Sequence, residues 1–188
     1  MTVTPLVDWH DEHRRRRLAA FQTRRPLLLR HKGPLRDEIA EWGSRLFDNT
    51  ARTLVLVGGT GTTKTWSLWE VLERAVAAGY AGSIVFATAA DWQEAVGPPV
   101  DRQALRVMRQ AGVLVLDDFG STRINEWAVD CLTPVVDERW SWGRPTGITS
   151  NLTDFDEALG ERGERITSRL GHEAAVVVLD GADRRAAG

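Results

Sequence analysis

The chain is short of lysine, cysteine and tyrosine. Among 188 residues there is one cysteine, Cys131, and one tyrosine, Tyr80, and of the 24 Lys/Arg residues only Lys32 and Lys64 are lysines. A single cysteine excludes an intrachain disulfide and fits a reducing cytosol. Cys131 has no Cys or His neighbours at metal-ligand spacing, which leaves it a small apolar core residue. No apolar run approaches the roughly 18 residues of a membrane span. The N-terminus turns polar by Asp8, so no signal peptide is expected. These absences point to a cytoplasmic protein with no membrane partner. The scarcity of lysine singles out Lys64, because an ammonium kept where almost every other cation is a guanidinium marks a need for a compact point charge.

Lys64 closes the run Gly58, Gly59, Thr60, Gly61, Thr62, Thr63, Lys64, Thr65, which follows the apolar stretch Thr53–Val57. A buried strand, a glycine-rich turn and a lysine with a hydroxyl opening a helix form the context of a phosphate-binding loop. The turn amides would wrap a β-phosphate, Lys64 would reach the β/γ oxygens, and the Thr65 hydroxyl would ligate Mg²⁺. One residue departs from the G-x-x-x-x-G-K-[ST] pattern. Thr63 replaces the second glycine, and its Cβ is expected to crowd the phosphates or shift the loop.

Charge is divided unevenly. Residues 1–36 hold nine Lys/Arg against three Asp/Glu, and the remainder hold fifteen against twenty-three. The cluster Arg14–Arg17, with Arg24, Arg25, Arg30 and Lys32, ends at the Lys32-Gly33-Pro34 break. Residues 1–34 therefore read as a basic N-terminal arm, open either to nucleic acid or an acidic surface or to solvent alone. Residues 35–188 read as one domain. Helices are expected over 35–48, 64–78, 89–96, 101–111, 125–140 (with a kink at Pro134), 154–159 and 161–170. Strands are expected over 53–57, 83–88, 113–116, 145–150 and 174–179. Apolar strands alternating with helices predict a five-stranded parallel sheet with helices on both faces.

The third strand ends in Asp117 and Asp118, placed where open α/β sheets bind their ligands. Asp117 would hold Mg²⁺ through water and Asp118 would polarise an attacking water; a helix cap or turn is the plainer reading of such a pair. Eight tryptophans against one tyrosine is an unusual balance. Most are expected to pack, as Trp66 and Trp69 would on one helix. Trp92 and the pair Trp140 and Trp142, beside Arg139 and Arg144, are the candidates for stacking on nucleic acid.

The order of Leu54–Val57, Gly58–Thr65, Leu114–Gly120, Arg144–Leu152 and Glu164–Leu170 resembles the AAA+ ATPases of the DnaC/DnaI helicase-loader and IstB transposition-helper group. The resemblance covers about residues 35–188. It implies a RecA-like P-loop domain with strand order 5-1-4-3-2, ATP and Mg²⁺ as cofactors, and hydrolysis of ATP. Asn151 looks like the sensor that orients water at the γ-phosphate, although an Asx turn would use the same residue. Arg169 looks like the finger that reaches a neighbour's ATP in a homo-oligomer, although a helix-surface ion pair would also use it. Arg185 falls where the group has a second sensor, with Arg184 close to equal. The implied partners are single-stranded DNA and a replicative helicase, or a transposase. Thr63 and the repeated Gly-Glu-Arg at 160–165, which reads as an insertion ahead of Arg169, favour an adaptor that binds nucleotide without hydrolysing it.

Overall fold

The computed structural model describes residues 6–120, 124–151, 159 and 163–180, with side chains from residue 9 onward. In chain order these residues form α1 (Leu6–Arg24), a 3₁₀ turn (Leu27–Leu29), α2 (Asp37–Ser44), β1 (Thr53–Val57), α3 (Lys64–Ala77), β2 (Ile84–Thr88), α4 (Ala89–Val96) and α5 (Arg102–Gln110). They continue with β3 (Val113–Asp117), α6 (Glu126–Ser141), β4 (Thr146–Ser150), α7 (Glu164–Gly171) and β5 (Ala175–Val178). The strands pair in parallel in the order β2-β3-β4-β1-β5. This is the expected arrangement.

Alternation along the buried strands explains the two layers. Leu54, Leu56, Val113 and Val115 face α1, α2 and α3 in one apolar cluster. Leu114, Leu116 and Ile148 face α4, α5, α6 and α7 in the other. Burial of successive residues on opposite faces is what a parallel sheet covered on both sides requires. Gly147, which interrupts β4, has a packing reason. A Cβ there would stand 3.0 Å from Cδ2 of Leu68, so the glycine lets α3 sit close on the sheet. α6 is continuous from Glu126 to Ser141, and Pro134 falls on its exposed side.

The N-terminal segment differs from the expected arm. Much of it is α1, which packs on α3 and contributes Phe21 to the core against Trp69 and Phe86. Arg25 is only 1% exposed. Its Nη1 donates to Glu70 Oε2 at 2.9 Å and Glu73 Oε2 at 2.6 Å, both on α3. Lys32 Nζ and Gln22 Nε2 also donate to Glu73 Oε1, and Trp66 Nε1 donates to the His31 carbonyl. Burial works to raise the Glu73 pKa, but the hydrogen bonds from Lys32, Gln22 and Arg25 prevail and lower it to about 2. Several of the cluster's cations are therefore turned onto the protein. Arg14 pairs with Asp11, Arg16 with Glu12, and Arg17 donates to the carbonyls of Tyr80 and Gly82.

The tryptophans divide evenly. Trp42, Trp66, Trp69 and Trp92 are buried, whereas Trp9, Trp127, Trp140 and Trp142 are exposed. Trp92 is thereby removed as a stacking platform, because α4 turns it into the core. Cys131 is half-buried against the α4–α7 side, and that burial raises its pKa. Among the described residues no helix is long and apolar enough to cross a membrane. Arg185, Arg184 and the expected helix at 154–158 lie outside the described residues.

Candidate nucleotide site

Strand order alone gathers most of the predicted residues. β1 lies between β4 and β5, and β4 lies between β1 and β3. The loop after β1, Asn151 after β4 and the acids ending β3 therefore emerge side by side at the carboxyl ends of the sheet. Gly58 must be glycine for a steric reason, since a Cβ on it would stand 2.3 Å from the Leu179 carbonyl oxygen. Its N–H donates to the Ser150 carbonyl, which ties the loop to β4.

Within the loop, Lys64 Nζ donates to the carbonyls of Gly58 and Gly59, each at 2.7 Å. The ammonium thus neutralises the oxygen side of the turn from inside. The Thr62 hydroxyl donates to the Gly59 carbonyl and fixes the same turn. Thr63 precedes α3 with φ 70° and ψ 13°, the left-handed region. That conformation suits glycine and is an outlier for a β-branched residue. The backbone at Thr63 holds the geometry that a glycine would adopt without cost. Thr63 therefore carries backbone strain.

The metal-binding candidates meet directly. Thr65 Oγ1 donates to Asp117 Oδ1 at 2.8 Å. Sequence reasoning missed a third member, Thr149, whose Oγ1 donates to the same Asp117 oxygen at 2.6 Å and accepts from the Asp118 N–H at 2.8 Å. Its signal was a row of hydroxyls in a fully buried strand, because Thr146, Thr149 and Ser150 are each at most 5% exposed. Ser150 Oγ donates to the Phe119 carbonyl, which completes the brace between β4 and the turn after β3. Asp118 is exposed with φ 59°, a left-handed geometry that aspartate tolerates. Asn151 is also exposed, at the mouth of the same site. Mg²⁺ prefers oxygen ligands and keeps several waters, so one hydroxyl and one carboxylate fit such a site. No cage of three or more His, Cys, Asp or Glu exists among the described residues.

Arg169 lies elsewhere. It lines a cleft with Thr53 and Thr146, the first residues of β1 and β4. At a rise of about 3.3 Å per residue, five-residue strands put roughly 13 Å between that end of the sheet and the loop. The Arg169 Nε donates to Asp137 Oδ1 at 3.2 Å, and its guanidinium covers the Trp140 ring. It does not join Lys64 or Asp118 of its own chain.

Solved structures share this fold. The crystal structure of DnaI superposes with a TM-score of 0.67 over 91% of this chain and 93% of that one, at 20% identity. The DnaC helicase loader gives 0.60 over 81% and 96%, at 19% identity. Domain III of the Thermotoga maritima replication initiation protein DnaA gives 0.61 over 81% and 71%, at 17% identity. At such identities the likeness bears on the fold alone, which is the RecA-like P-loop AAA+ fold. No curated protein matches the chain. Residues 31–187 match the family described as IstB-like ATP binding protein, and the chain belongs to that family.

Proposed function

We propose that this protein is an ATP-binding and ATP-hydrolysing helicase loader of DNA replication that engages single-stranded DNA. The observation that carries the nucleotide part is the hydrogen-bonded set Thr65–Asp117–Thr149 beside the Lys64 loop. ATP would supply the transferable phosphoryl group and Mg²⁺ the charge that screens it. With nucleotide bound, Lys64 would exchange the loop carbonyls for phosphate oxygens, and the loop amides would hold the phosphates. Thr65 and Asp117 would hold the cation, while Asn151 would orient the attacking water and Asp118 would take its proton. Arg169, on the far edge of the sheet, serves a neighbouring copy's nucleotide in a homo-oligomer, and Arg185 serves as the second sensor. The protein acts in the cytoplasm with a replicative helicase.

A second reading, a transposition helper partnered by a transposase, is favoured by the IstB family match. Calorimetry of ATP with Mg²⁺ tests the shared core. Lys64→Ala is expected to remove most binding, and equal affinity in wild type and variant would refute the loop as the site. Wild type that binds but never turns over, with helicase and DNA present, would make the protein a nucleotide-binding adaptor. Co-purification with a helicase rather than a transposase separates loading from transposition.

A further inference from the structure

At the amino ends of β1 and β4, opposite the loop, a cleft of about 390 Å³ opens between the end of α6, α7 and the start of β1. That volume suits a nucleotide-sized group. Its wall includes Arg52, Arg139, Arg144, Arg169, Trp140 and His172. The ion pairs that reach it add Arg109 and Arg165, so six guanidiniums meet three carboxylates. Asp137 is shared by Arg165 and Arg169, Glu138 is shared by Arg109 and Arg144, and Glu173 faces Arg52 at 3.4 Å. Arg139 has no carboxylate in ion-pair range among the described residues. It donates to the carbonyls of Met108, Ala111 and Pro145 and to the Thr146 hydroxyl. Burial, helped by the nearby Arg144 charge, lowers its pKa to about 9. The positive excess thus comes from the count of guanidiniums over carboxylates, while Arg139 itself is turned onto the protein.

Aromatic faces stand in the cleft and beside it: Trp140 lines it, and Trp142 sits next to it in the chain between the lining residues Ser141 and Gly143. The Arg169 guanidinium carbon lies 3.9 Å from the Trp140 ring centroid, and that of Arg144 lies 5.6 Å from the Trp142 centroid. Trp142 is 72% exposed on the turn that follows α6. Fixed cations beside an open indole match the stacking platforms that hold unpaired bases. An acidic protein surface would engage the guanidiniums and leave the indole idle. A duplex offers no free base to stack.

We infer that this cleft binds single-stranded nucleic acid, with phosphates on Arg144 and Arg52 and the adjoining unpaired base on Trp142, which stands beside the cleft next to Arg144. The inference rests on the nucleic-acid part of the function proposed above. It moves the contact from the basic N-terminal segment to the amino ends of β1 and β4, remote from the loop. The test is a fluorescence-anisotropy titration of a labelled oligothymidylate over a range of salt, with circular dichroism of each variant to check folding. Trp142→Ala should weaken binding about five- to hundredfold, and Trp142→Phe should recover most of the loss. Arg144→Gln should lower the slope of log affinity against log salt by about one. Replacing Arg14, Arg15 and Arg16 with alanine should leave affinity near that of wild type. Wild type that does not bind would overturn the nucleic-acid reading itself. Wild type that binds while Trp142→Ala binds equally would overturn the cleft alone. Displacement of the strand by thymidine monophosphate at a similar concentration would overturn the strand in favour of a mononucleotide.

Discussion

Thr63 offers a separation of two effects that usually coincide at a phosphate loop. Its φ of 70° places a β-branched residue in the left-handed region. That geometry costs about 1–2 kcal/mol for a residue with a Cβ. Asparagine tolerates the region and keeps a Cβ, so Thr63→Asn should recover about 1 kcal/mol of stability. Glycine removes the strain fully but adds roughly 0.5–1 kcal/mol of backbone entropy to lose on folding, which leaves a net gain of about 0–1.5 kcal/mol. Thr63→Val keeps the branching and should gain nothing. In a chain of this size 1 kcal/mol moves the thermal midpoint by about 2–4 °C. Urea and thermal unfolding without nucleotide would read these shifts, and calorimetry with ATP would read affinity on the same proteins. If the Cβ also crowds the phosphates, only Thr63→Gly should tighten ATP binding, because asparagine retains that atom. Unfolding midpoints that stay level or fall in both the asparagine and glycine variants would refute the strain argument.

Two further outcomes follow from the charges. The Glu73 pKa is depressed from 4.5 to about 2, so its contribution is present above pH 4.5 and lost as pH falls from there toward 2. The shift corresponds to about 3 kcal/mol; Glu73→Gln should flatten that limb of an acid-unfolding curve, and an unchanged limb would contradict it. Arg169→Ala should leave ATP binding nearly intact while cutting turnover by roughly 10³-fold or more, and Asp118→Asn should do likewise. Mixing the two variants should restore part of the activity in a steady-state ATPase assay, and a mixture inactive at every ratio would remove the finger in trans.

What was legible in the sequence was local. Strands β1 and β3 are apolar throughout, and Lys64, Thr65, Asp117 and Asp118 stand at their ends, so strand boundaries placed the site. The docking of α1 was not legible. The segment reads as solvated because its charges are dense, and the partners that hold its end, Glu70 and Glu73, lie 45 and 48 residues along the chain from Arg25. An exposed arginine and one with buried carboxylate partners look alike in sequence. Gly147 was hidden similarly, since its reason is Leu68 on another element. Trp92 followed the side of α4 that faces the core rather than its neighbours in sequence. Thr149 was readable in principle, because a hydroxyl in a strand buried on both sides must find a partner.

The rarity of lysine makes the loop chemically addressable. Apart from the N-terminal amine, amine-directed acylation has two targets. Lys32 has a side chain 65% exposed, whereas Lys64 is 8% exposed and hydrogen-bonded to two carbonyls. Both amines are bonded, Lys32 to Glu73, but only Lys32 is open to solvent, so a brief dose of reagent should mark Lys32 ahead of Lys64. Lys32 then acts as an internal clock against which the opening of the loop is timed by mass spectrometry. Bound ATP should slow modification of Lys64 further while leaving Lys32 unchanged. Equal labelling of the two residues in the free protein would mean that the Lys64 contacts with the loop carbonyls are broken much of the time.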